Sequence, residues 1–369
     1  MVKPKCKYFN KCGGCLLQNK EYKEQLELKK SVLTEITGFK KIPVFFGKPF
    51  NYRNRLDLIF HKGGLGFRAR KKWHEIVDIE SCEIGEKRIN ELITEIKKEF
   101  KNIDAFDLIE KKGTYKFVVI RTPKNDSLIS FVLNSKSKNL EKAINKIISF
   151  SKKCSAKNVL IALVEPERDT TISDNIKIIK GSNLLNENLM DHNFIFSGQG
   201  FFQNNTEMAE KMHEYCNQLI KKYNTKNTCL LDLYGGVGTF GIINSNLFNK
   251  VIIAENVKNA IDCAKINIKN NHVKNADAKV LDAKHIKMLN LKAPLFVITD
   301  PPRGGMHPKT IIYLNKIKPK VIIYISCNIK QFEKELNMLR NYKIKSVALF
   351  DLFPQTEHSE SVIELVLKN

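Results

Sequence analysis

The pattern of apolar and polar residues divides the chain into two halves of different character. In the first half, residues 50–80 and 116–133 alternate apolar and polar positions around short polar turns, which predicts antiparallel β-hairpins. In the second half, short apolar runs alternate with helical segments, as is typical of an α/β fold with a doubly wound parallel sheet. The strands predicted for that sheet are 229–234, 251–254, 278–281, 295–299 and 320–325. We therefore predict an α+β domain over residues 1–195 and an α/β domain over residues 196–369.

A glycine-rich turn follows the first predicted strand of the second domain. The stretch LLDLYGGVGTFG (230–241) places G-x-G-x-x-G between a strand and a helix, and Glu255 ends the next strand, where a carboxylate can accept ribose hydroxyls. Asp232, just before the loop, suits a cationic ligand without phosphate better than a pyrophosphate. Asp300 and two prolines end the fourth strand, as is common in methyltransferases. The pattern therefore favours S-adenosylmethionine over a nicotinamide dinucleotide.

The net charge of the chain indicates which class of partner it binds. It has 62 Lys and Arg against 39 Asp and Glu, a formal net charge of +23, which favours binding to nucleic acid. A compositional bias toward Lys, Asn and Ile is the alternative, but it does not explain why arginines cluster in one short segment, at Arg53, Arg55, Arg68 and Arg70. No apolar run is long enough to span a membrane, and the first residues contain no secretory signal. We expect a cytoplasmic monomer that binds RNA and no membrane.

Four cysteines form a separate group near the beginning of the chain. Cys6, Cys12 and Cys15 follow the spacing C-x5-C-x2-C, and Cys82 comes 67 residues later. A disulfide framework does not fit a cytoplasmic protein. A zinc site usually contains two C-x-x-C pairs, of which only one is present, and four thiolates also suit a [4Fe–4S] cluster. The residues alone leave zinc and iron–sulfur open.

Another cysteine, Cys327, ends an apolar run in the stretch YISCN (324–328). It either fills the core, as most buried cysteines do, or acts as a nucleophile at the sheet edge where doubly wound folds bind ligands. The remaining cysteines are interpreted as core residues; they are Cys154, Cys216, Cys229 and Cys263. A lone glutamate such as Glu360 would ordinarily be a solvated loop carboxylate.

Six motifs together resemble the RNA uracil-5 methyltransferase family, which makes 5-methyluridine in ribosomal or transfer RNA. In family order they are CKYFNKCGGC with Cys82, GQGFFQNN, DLYGGVGTF, DPPRGG, YISCN and HSESVIEL. The resemblance covers nearly the whole chain. It implies a Rossmann-like domain that uses S-adenosylmethionine, preceded by an α+β domain with a [4Fe–4S] cluster and an RNA-binding surface. It also favours the cluster over zinc at the four early cysteines, in a structural role.

The resemblance assigns the catalytic chemistry to two residues. Uracil C5 is a poor nucleophile until a thiolate adds to C6, and its proton must afterwards be removed so that the thiolate can leave. Cys327 is expected to be the nucleophile and Glu360 the base. The residues expected to line the cofactor or base site are Gln203, Tyr234, Thr239, Glu255, Asp282 and Asp300. Asp300 is expected to accept the uracil N3–H.

The chain departs from the family pattern at several points. Its first motif cysteine is residue 6, so we expect it to lack the oligonucleotide-binding barrel that precedes this motif in many members. Family loops commonly read DLYCG where this chain has Gly235, and Asn204 and Ile329 also differ. The expected absence of the barrel and the intact cysteine quartet favour 23S ribosomal RNA as substrate, with uridine 54 of transfer RNA as the alternative. A cytosine-5 methyltransferase and an iron–sulfur RNA-binding protein without methyl transfer are the rival functions.

Overall fold

The computed structural model describes residues 2–291 and 294–368. The strands of the first half are β1 Val44–Phe45, β2 Arg55–His61, β3 Gly64–Ala69, β4 Lys72–Asp78, β5 Tyr115–Arg121, β6 Leu128–Asn134, β7 Asn158–Val164 and β8 Ile176–Lys180. Those that follow are β9 Leu184–Leu189, β10 His192–Ser197, β11 Cys229–Leu233, β12 Lys250–Glu255, β13 Ala276–Val280, β14 Leu295–Thr299, β15 Val321–Ser326, β16 Tyr342–Phe350 and β17 Glu360–Leu367. The α-helices are α1 Tyr22–Thr37, α2 Lys87–Glu99, α3 Leu140–Lys153, α4 Thr206–Ile220, α5 Thr239–Ile243, α6 Lys258–Asn270, α7 Pro308–Ile317 and α8 Ile329–Met338. None of the described helices is long and apolar enough to cross a membrane.

The first half folds around a seven-stranded sheet in the order β4-β3-β2-β5-β6-β7-β8. The two predicted hairpins are confirmed, since β2 pairs antiparallel with β3, and β5 with β6. Helix α2 presents Ile89, Leu92, Ile93 and Ile96 to this sheet, and all four are fully buried. Their spacing of three and four residues forms one apolar stripe. Helix α3 contributes Ala143, Ile147 and Phe150 to the same core, so both helices pack against this sheet.

The second half folds around an eight-stranded sheet in the order β1-β16-β17-β15-β14-β11-β12-β13. The five predicted strands are confirmed as β11 to β15, and their mutual pairings are parallel. β17 pairs antiparallel with both β15 and β16. Every residue of β15 is buried, as in a strand covered on both faces. The α/β doubly wound architecture expected from the sequence is therefore confirmed.

One segment of the first half packs against the second sheet. Strand β1 pairs in parallel with β16, joining Val44 to Leu349 and Phe45 to Phe350. Helix α1 packs against α8 and β16. Gly38 ends this helix with a φ of +74° and donates its amide to Thr34 O at 2.8 Å. The domain boundary between residues 195 and 196 stays a prediction. Helix α1 and strand β1 precede this boundary in sequence but pack with the second half of the chain.

The hairpin β9–β10 lies against the helices of the second half. Leu185, Phe194 and Phe196 share a buried core with α4 and α6. Asn267 of α6 completes the contact, because its side chain accepts from the amide of Ile195 at 2.7 Å and donates to the carbonyl of the same residue at 2.9 Å. This hairpin leads directly into the GQGFFQNN segment.

Candidate active site

The glycine-rich loop turns sharply between β11 and α5. Gly236 and Gly238 have φ values of +54° and +88°, in the region that glycine adopts without strain, and Tyr234 has a φ of +60°. The amide of Gly236 donates to Glu255 Oε2 at 3.3 Å, while Val257 donates to Glu255 Oε1 at 2.9 Å. The loop and the end of β12 therefore hold the Glu255 carboxylate at the edge of the sheet, where it can accept hydroxyl groups.

The family's cysteine does not fit at Gly235 in this chain. A Cβ added there would lie 2.8 Å from Ile253 Cγ2 and 3.0 Å from Asp232 Cγ. We expect Gly235→Cys to lower the free energy of unfolding by about 1–3 kcal/mol, because the added side chain overlaps Ile253 and Asp232 and forces the loop to shift. Thermal unfolding measures this effect. Gly304→Cys is the matched control, since no atom lies within 4 Å of its added Cβ; equal stability of the two variants would contradict the prediction.

Two carboxyl groups, the buried Asp232 and the half-buried Asp300, lie at the ends of adjacent strands. The amide of Gly241 donates to Asp232 Oδ2 at 2.8 Å, and the amide of Asp300 donates to the carbonyl of Leu233 at 3.4 Å. Burial raises the pKa of Asp232 to about 7. Burial, followed by the charge of Asp232, raises the pKa of Asp300 to about 7. A positive ligand at this edge would relieve the repulsion between the two groups, as a sulfonium does.

Cys327 and Glu360 come together through the pairing of β15 and β17. The last paired residues of this antiparallel ladder are Ser326 and Ser361, so the next residues, Cys327 and Glu360, lie side by side beyond it. The hydroxyl of Ser361 donates to the carbonyl of Ser326 at 3.3 Å and strengthens the end of the ladder. Glu360 is only 6% exposed. The sequence places these residues 33 positions apart, and the sheet makes them neighbours.

The surroundings of Cys327 keep its thiol protonated. Burial, followed by the charges of Glu360 and Asp300, raises its pKa to about 11, and the charge of Arg303 opposes this shift. Burial also raises the pKa of Glu360 well above its ordinary value, with Asp300 adding to the effect and Arg303 opposing it. Asn328 donates its side-chain amide to the carbonyl of Arg303 at 3.1 Å, which ties the loop after β15 to the one after β14.

The raised pKa predicts how Cys327 reacts in the free enzyme. Because the thiolate is the reactive form, the rate of alkylation by iodoacetamide should rise about tenfold per pH unit between about pH 7 and about pH 9. Glu360→Gln should increase the rate at each pH, since the neutral amide no longer repels the thiolate. Mass spectrometry of the modified peptide measures the rate. A rate that levels off by about pH 9, as for a thiol with an ordinary pKa, would show that the pKa is not raised.

The other predicted cofactor residues lie on loops around the same sheet. Thr239 begins α5, and the Tyr234 hydroxyl accepts from the amide of His307 at 3.4 Å. Asp282, after β13, accepts from the amide of Lys284 at 3.0 Å and pairs with its ammonium group at 2.8 Å. Gln203 lies in the GQGFFQNN segment, where its carbonyl accepts from Asn54 Nδ2 at 3.4 Å. These contacts leave the assigned roles as predictions.

The phenylalanines of that segment differ in their surroundings. Phe202 is buried and stacks on Phe196, with ring centroids 4.5 Å apart and planes 20° from parallel. Phe201 is 68% exposed and lines a cavity formed mostly by residues of the first half of the chain. Phe202 is therefore a core residue, whereas Phe201 remains available to a ligand.

Cys6, Cys12, Cys15 and Cys82 line that cavity, which has a volume of about 1080 Å³. Burial, together with the neighbouring thiols, raises the pKa of Cys82 to about 11 and that of Cys15 to about 12. In residues 2–291 and 294–368, no group of three or more His, Cys, Asp or Glu side chains is placed to hold one metal ion. In a [4Fe–4S] cluster each thiolate binds a different iron, so its four ligands lie farther apart than those of a single ion.

Trp73 also lines this cavity, although its sequence context alone did not mark it as a candidate RNA contact. Trp73 is 58% exposed and lines the cavity beside Arg68 and Arg70. Its signal in the sequence is the stretch RARKKW, in which the only tryptophan of the chain ends a basic run. An exposed aromatic ring among cations can stack on a base, so this residue joins the candidate RNA surface.

Three comparisons relate the chain to known proteins. The model of a family described as tRNA (Uracil-5-)-methyltransferase matches residues 21–368. The tRNA (uracil(54)-C(5))-methyltransferase of Pyrococcus abyssi is 34% identical over 99% of this chain and 86% of its own length. That of Pyrococcus horikoshii is 32% identical over the same shares of the two chains. The crystal structure of the Pyrococcus abyssi enzyme with S-adenosyl-L-homocysteine has a TM-score of 0.80 and 30% identity, covering 96% of this chain and 86% of that one.

Proposed function

The chain belongs to the tRNA (uracil-5-)-methyltransferase family, and on that premise we propose that it methylates C5 of uridine 54 in transfer RNA. The observation that carries the proposal is the 34% identity, over 99% of the chain, to an enzyme named for that nucleotide. The sequence alone favoured 23S ribosomal RNA because a barrel was expected to be absent and the four early cysteines are all present. The relatives named for uridine 54 favour the alternative instead, so the ribosomal preference is not retained.

The proposed mechanism uses Cys327 and Glu360 on opposite sides of the uracil C5–C6 bond. When bound, S-adenosylmethionine supplies an electrophilic methyl group on a sulfonium. The Cys327 thiol gives its proton to solvent and its Sγ adds to C6, which leaves an enolate. C5 of the enolate then takes the methyl group, and S-adenosylhomocysteine is released. Glu360 then removes the C5 proton, the Cys327–C6 bond breaks, and the C5–C6 double bond re-forms. The raised pKa of Glu360 makes its carboxylate a stronger base.

The four cysteines around the large cavity support a [4Fe–4S] cluster as a second proposal. Their number and chemistry fit a cluster, because four thiols line one cavity. The surrounding backbone joins residues 6–15, which we call the cysteine segment, to residues 53–70, which contain the four arginines and which we call the arginine hairpin. Gly13 donates to the carbonyl of Arg68 at 3.0 Å, and Arg70 donates to the carbonyl of Lys11 at 2.8 Å. The cluster would then stabilise the RNA-binding surface.

We place transfer RNA on the basic surface around this cavity. Arg53, Arg55, Arg68 and Arg70 all line it, and Phe201 links it to the GQGFFQNN segment. Trp73→Ala should weaken binding of the transfer RNA about tenfold, since stacking on one base is worth about 1–3 kcal/mol. Filter binding at fixed salt measures the dissociation constant. Ile109→Ala is the control, because Ile109 is 69% exposed on a loop outside the cavity. Equal affinities of the two variants would exclude Trp73 from the interface.

The choice of substrate can be tested on two RNAs. The purified enzyme is incubated with S-adenosylmethionine and either a transfer RNA transcript or protein-free ribosomal RNA. Mass spectrometry of the digested RNA then locates any 5-methyluridine. We expect one methyl group at uridine 54 of the transfer RNA and none in a transcript carrying cytidine there. Methylation of ribosomal RNA alone would overturn the proposed substrate.

A further inference from the structure

Residues 351–355, which directly follow β16, are held by contacts with parts of the chain that are distant in sequence. We call them the base loop, since they connect β16 to the turn that leads to Glu360. The Asp351 side chain accepts from Lys29 Nζ at 2.6 Å and from the Tyr22 hydroxyl at 2.8 Å, both on α1. The side chains of Lys29 and Asp351 are 3% and 0% exposed, so this ion pair is buried.

The carbonyl groups of the base loop are held in the same manner. Lys29 Nζ also donates to the carbonyl of Phe353 at 3.1 Å. The hydroxyl of Tyr52, next to the arginine hairpin, donates to the carbonyl of Pro354 at 2.9 Å. Asn205, in the GQGFFQNN segment, donates to the carbonyl of Leu352 at 3.1 Å. Each contact joins the base loop to a segment that is distant in sequence.

Gln355 connects the base loop to the cysteine segment. Its carbonyl accepts from the amides of Leu16 and Leu17, each at 3.0 Å, and Leu16 directly follows Cys15. Its side chain and amide form two hydrogen bonds with Gln25 of α1, at 3.0 and 3.1 Å. Gln355 has a φ of +70°, a strained conformation for a residue with a side chain, which persists where surrounding contacts over-determine it.

The Glu360 side chain itself has little to fix it. Within the described residues, its Oε2 atom is buried without a hydrogen-bond partner. Its position therefore depends on where the backbone enters β17. A displacement of about 1 Å at a reacting group can cost about a hundredfold in rate. Contacts that fix the base loop consequently bear on the proton-removal step.

We propose that α1 and the segment after Cys15 position Glu360 through the base loop, with Lys29 and Gln25 as positioning residues. The inference rests on the proposed role of Glu360 as the base. The cysteine segment then contributes to the chemistry of methylation, in addition to any part it has in binding RNA. Loosening these contacts should slow the removal of the C5 proton more than the addition of Cys327.

The test separates these two steps in the full-length enzyme. Lys29→Met should lower multiple-turnover methylation about tenfold or more while a methylated Cys327–RNA adduct accumulates on denaturing gels. Lys29→Arg should restore part of the turnover because it keeps the cation. Lys29→Met combined with Asp351→Leu removes the unpaired buried charge, so this variant should fold and still accumulate the adduct. Lys23→Met, on the exposed side of α1, should behave like the natural protein.

The outcomes distinguish this inference from the proposed function. Turnover and adduct that fall together, in proportion to the folded fraction, would show that Lys29 only stabilises the fold. Natural turnover in the double variant would overturn the inference equally. Glu360→Gln is the reference that should accumulate the adduct most strongly. If Glu360→Gln forms no adduct, Glu360 is not the base and the inference is also wrong. If Glu360→Gln forms the adduct and the Lys29 variants do not, the inference is wrong and the proposed function is retained.

Discussion

Cys327→Ala is expected to abolish 5-methyluridine formation and to leave the fold intact. Without the thiolate, the uracil ring cannot become an enolate with a nucleophilic C5. The rate of methylation should therefore fall on the order of 10⁴-fold or more, as when other enzymes lose a covalent nucleophile. Cys327 is half-buried just beyond β15, so removing its sulfur deletes little core packing. Transfer of a radiolabelled methyl group to transfer RNA measures the loss. RNA containing 5-fluorouridine should form a stable adduct with the natural protein and none with the variant.

A second cysteine provides the control for this experiment. Cys229 is also half-buried and begins β11, so Cys229→Ala should keep both methylation and the 5-fluorouridine adduct. Methylation by Cys327→Ala at the natural rate would exclude the covalent mechanism. An adduct mapped to another cysteine would assign the role of nucleophile to that residue. Tight RNA binding without methylation by the natural protein would favour the rival iron–sulfur RNA-binding function.

The sequence could predict the second sheet because its signals are local. Val321–Ser326 is a continuous run of buried residues, and the prediction of 320–325 differs from it by one position at each end. The position of Cys327 at the edge follows from the same run. The proximity of Glu360 does not, because it depends on the antiparallel pairing of β15 with β17 across 33 residues. Only the resemblance to a family supplied that partner in advance.

The parts that could not be predicted depend on contacts distant in sequence. Helix α1 looks like an exposed charged helix, yet Lys29 is buried against Asp351, 322 residues away. Nothing in either local sequence marks the pair, since each residue type is usually solvated. Strand β1 has two residues, too few to show a periodic pattern, and it joins the second sheet only through β16. The N-terminal segment therefore belongs structurally to the active-site half more than its place in the chain indicates.

Glu360→Gln is expected to stop turnover after methyl transfer, so that the enzyme remains bound to methylated RNA. Glutamine has nearly the same shape but cannot take the C5 proton, and the Cys327–C6 bond breaks only after that proton leaves. The substitution also removes a negative charge that raises the pKa of Cys327. Addition of the thiolate should therefore proceed at least as fast as in the natural protein. We expect steady-state methylation to fall about a hundredfold or more, with a burst of about one methyl group per enzyme.

Two measurements decide between this outcome and a simple loss of activity. The methylated adduct should withstand denaturation and migrate as a protein–RNA complex, and tritium at C5 of the uridine should remain in that complex. Glu357→Gln, an exposed carboxylate in the same turn, is the matched control and should keep full turnover and release tritium. Release of tritium at the natural rate by Glu360→Gln would assign the base elsewhere, and Asp300, whose charge acts on both Cys327 and Glu360, would be the next carboxylate to test.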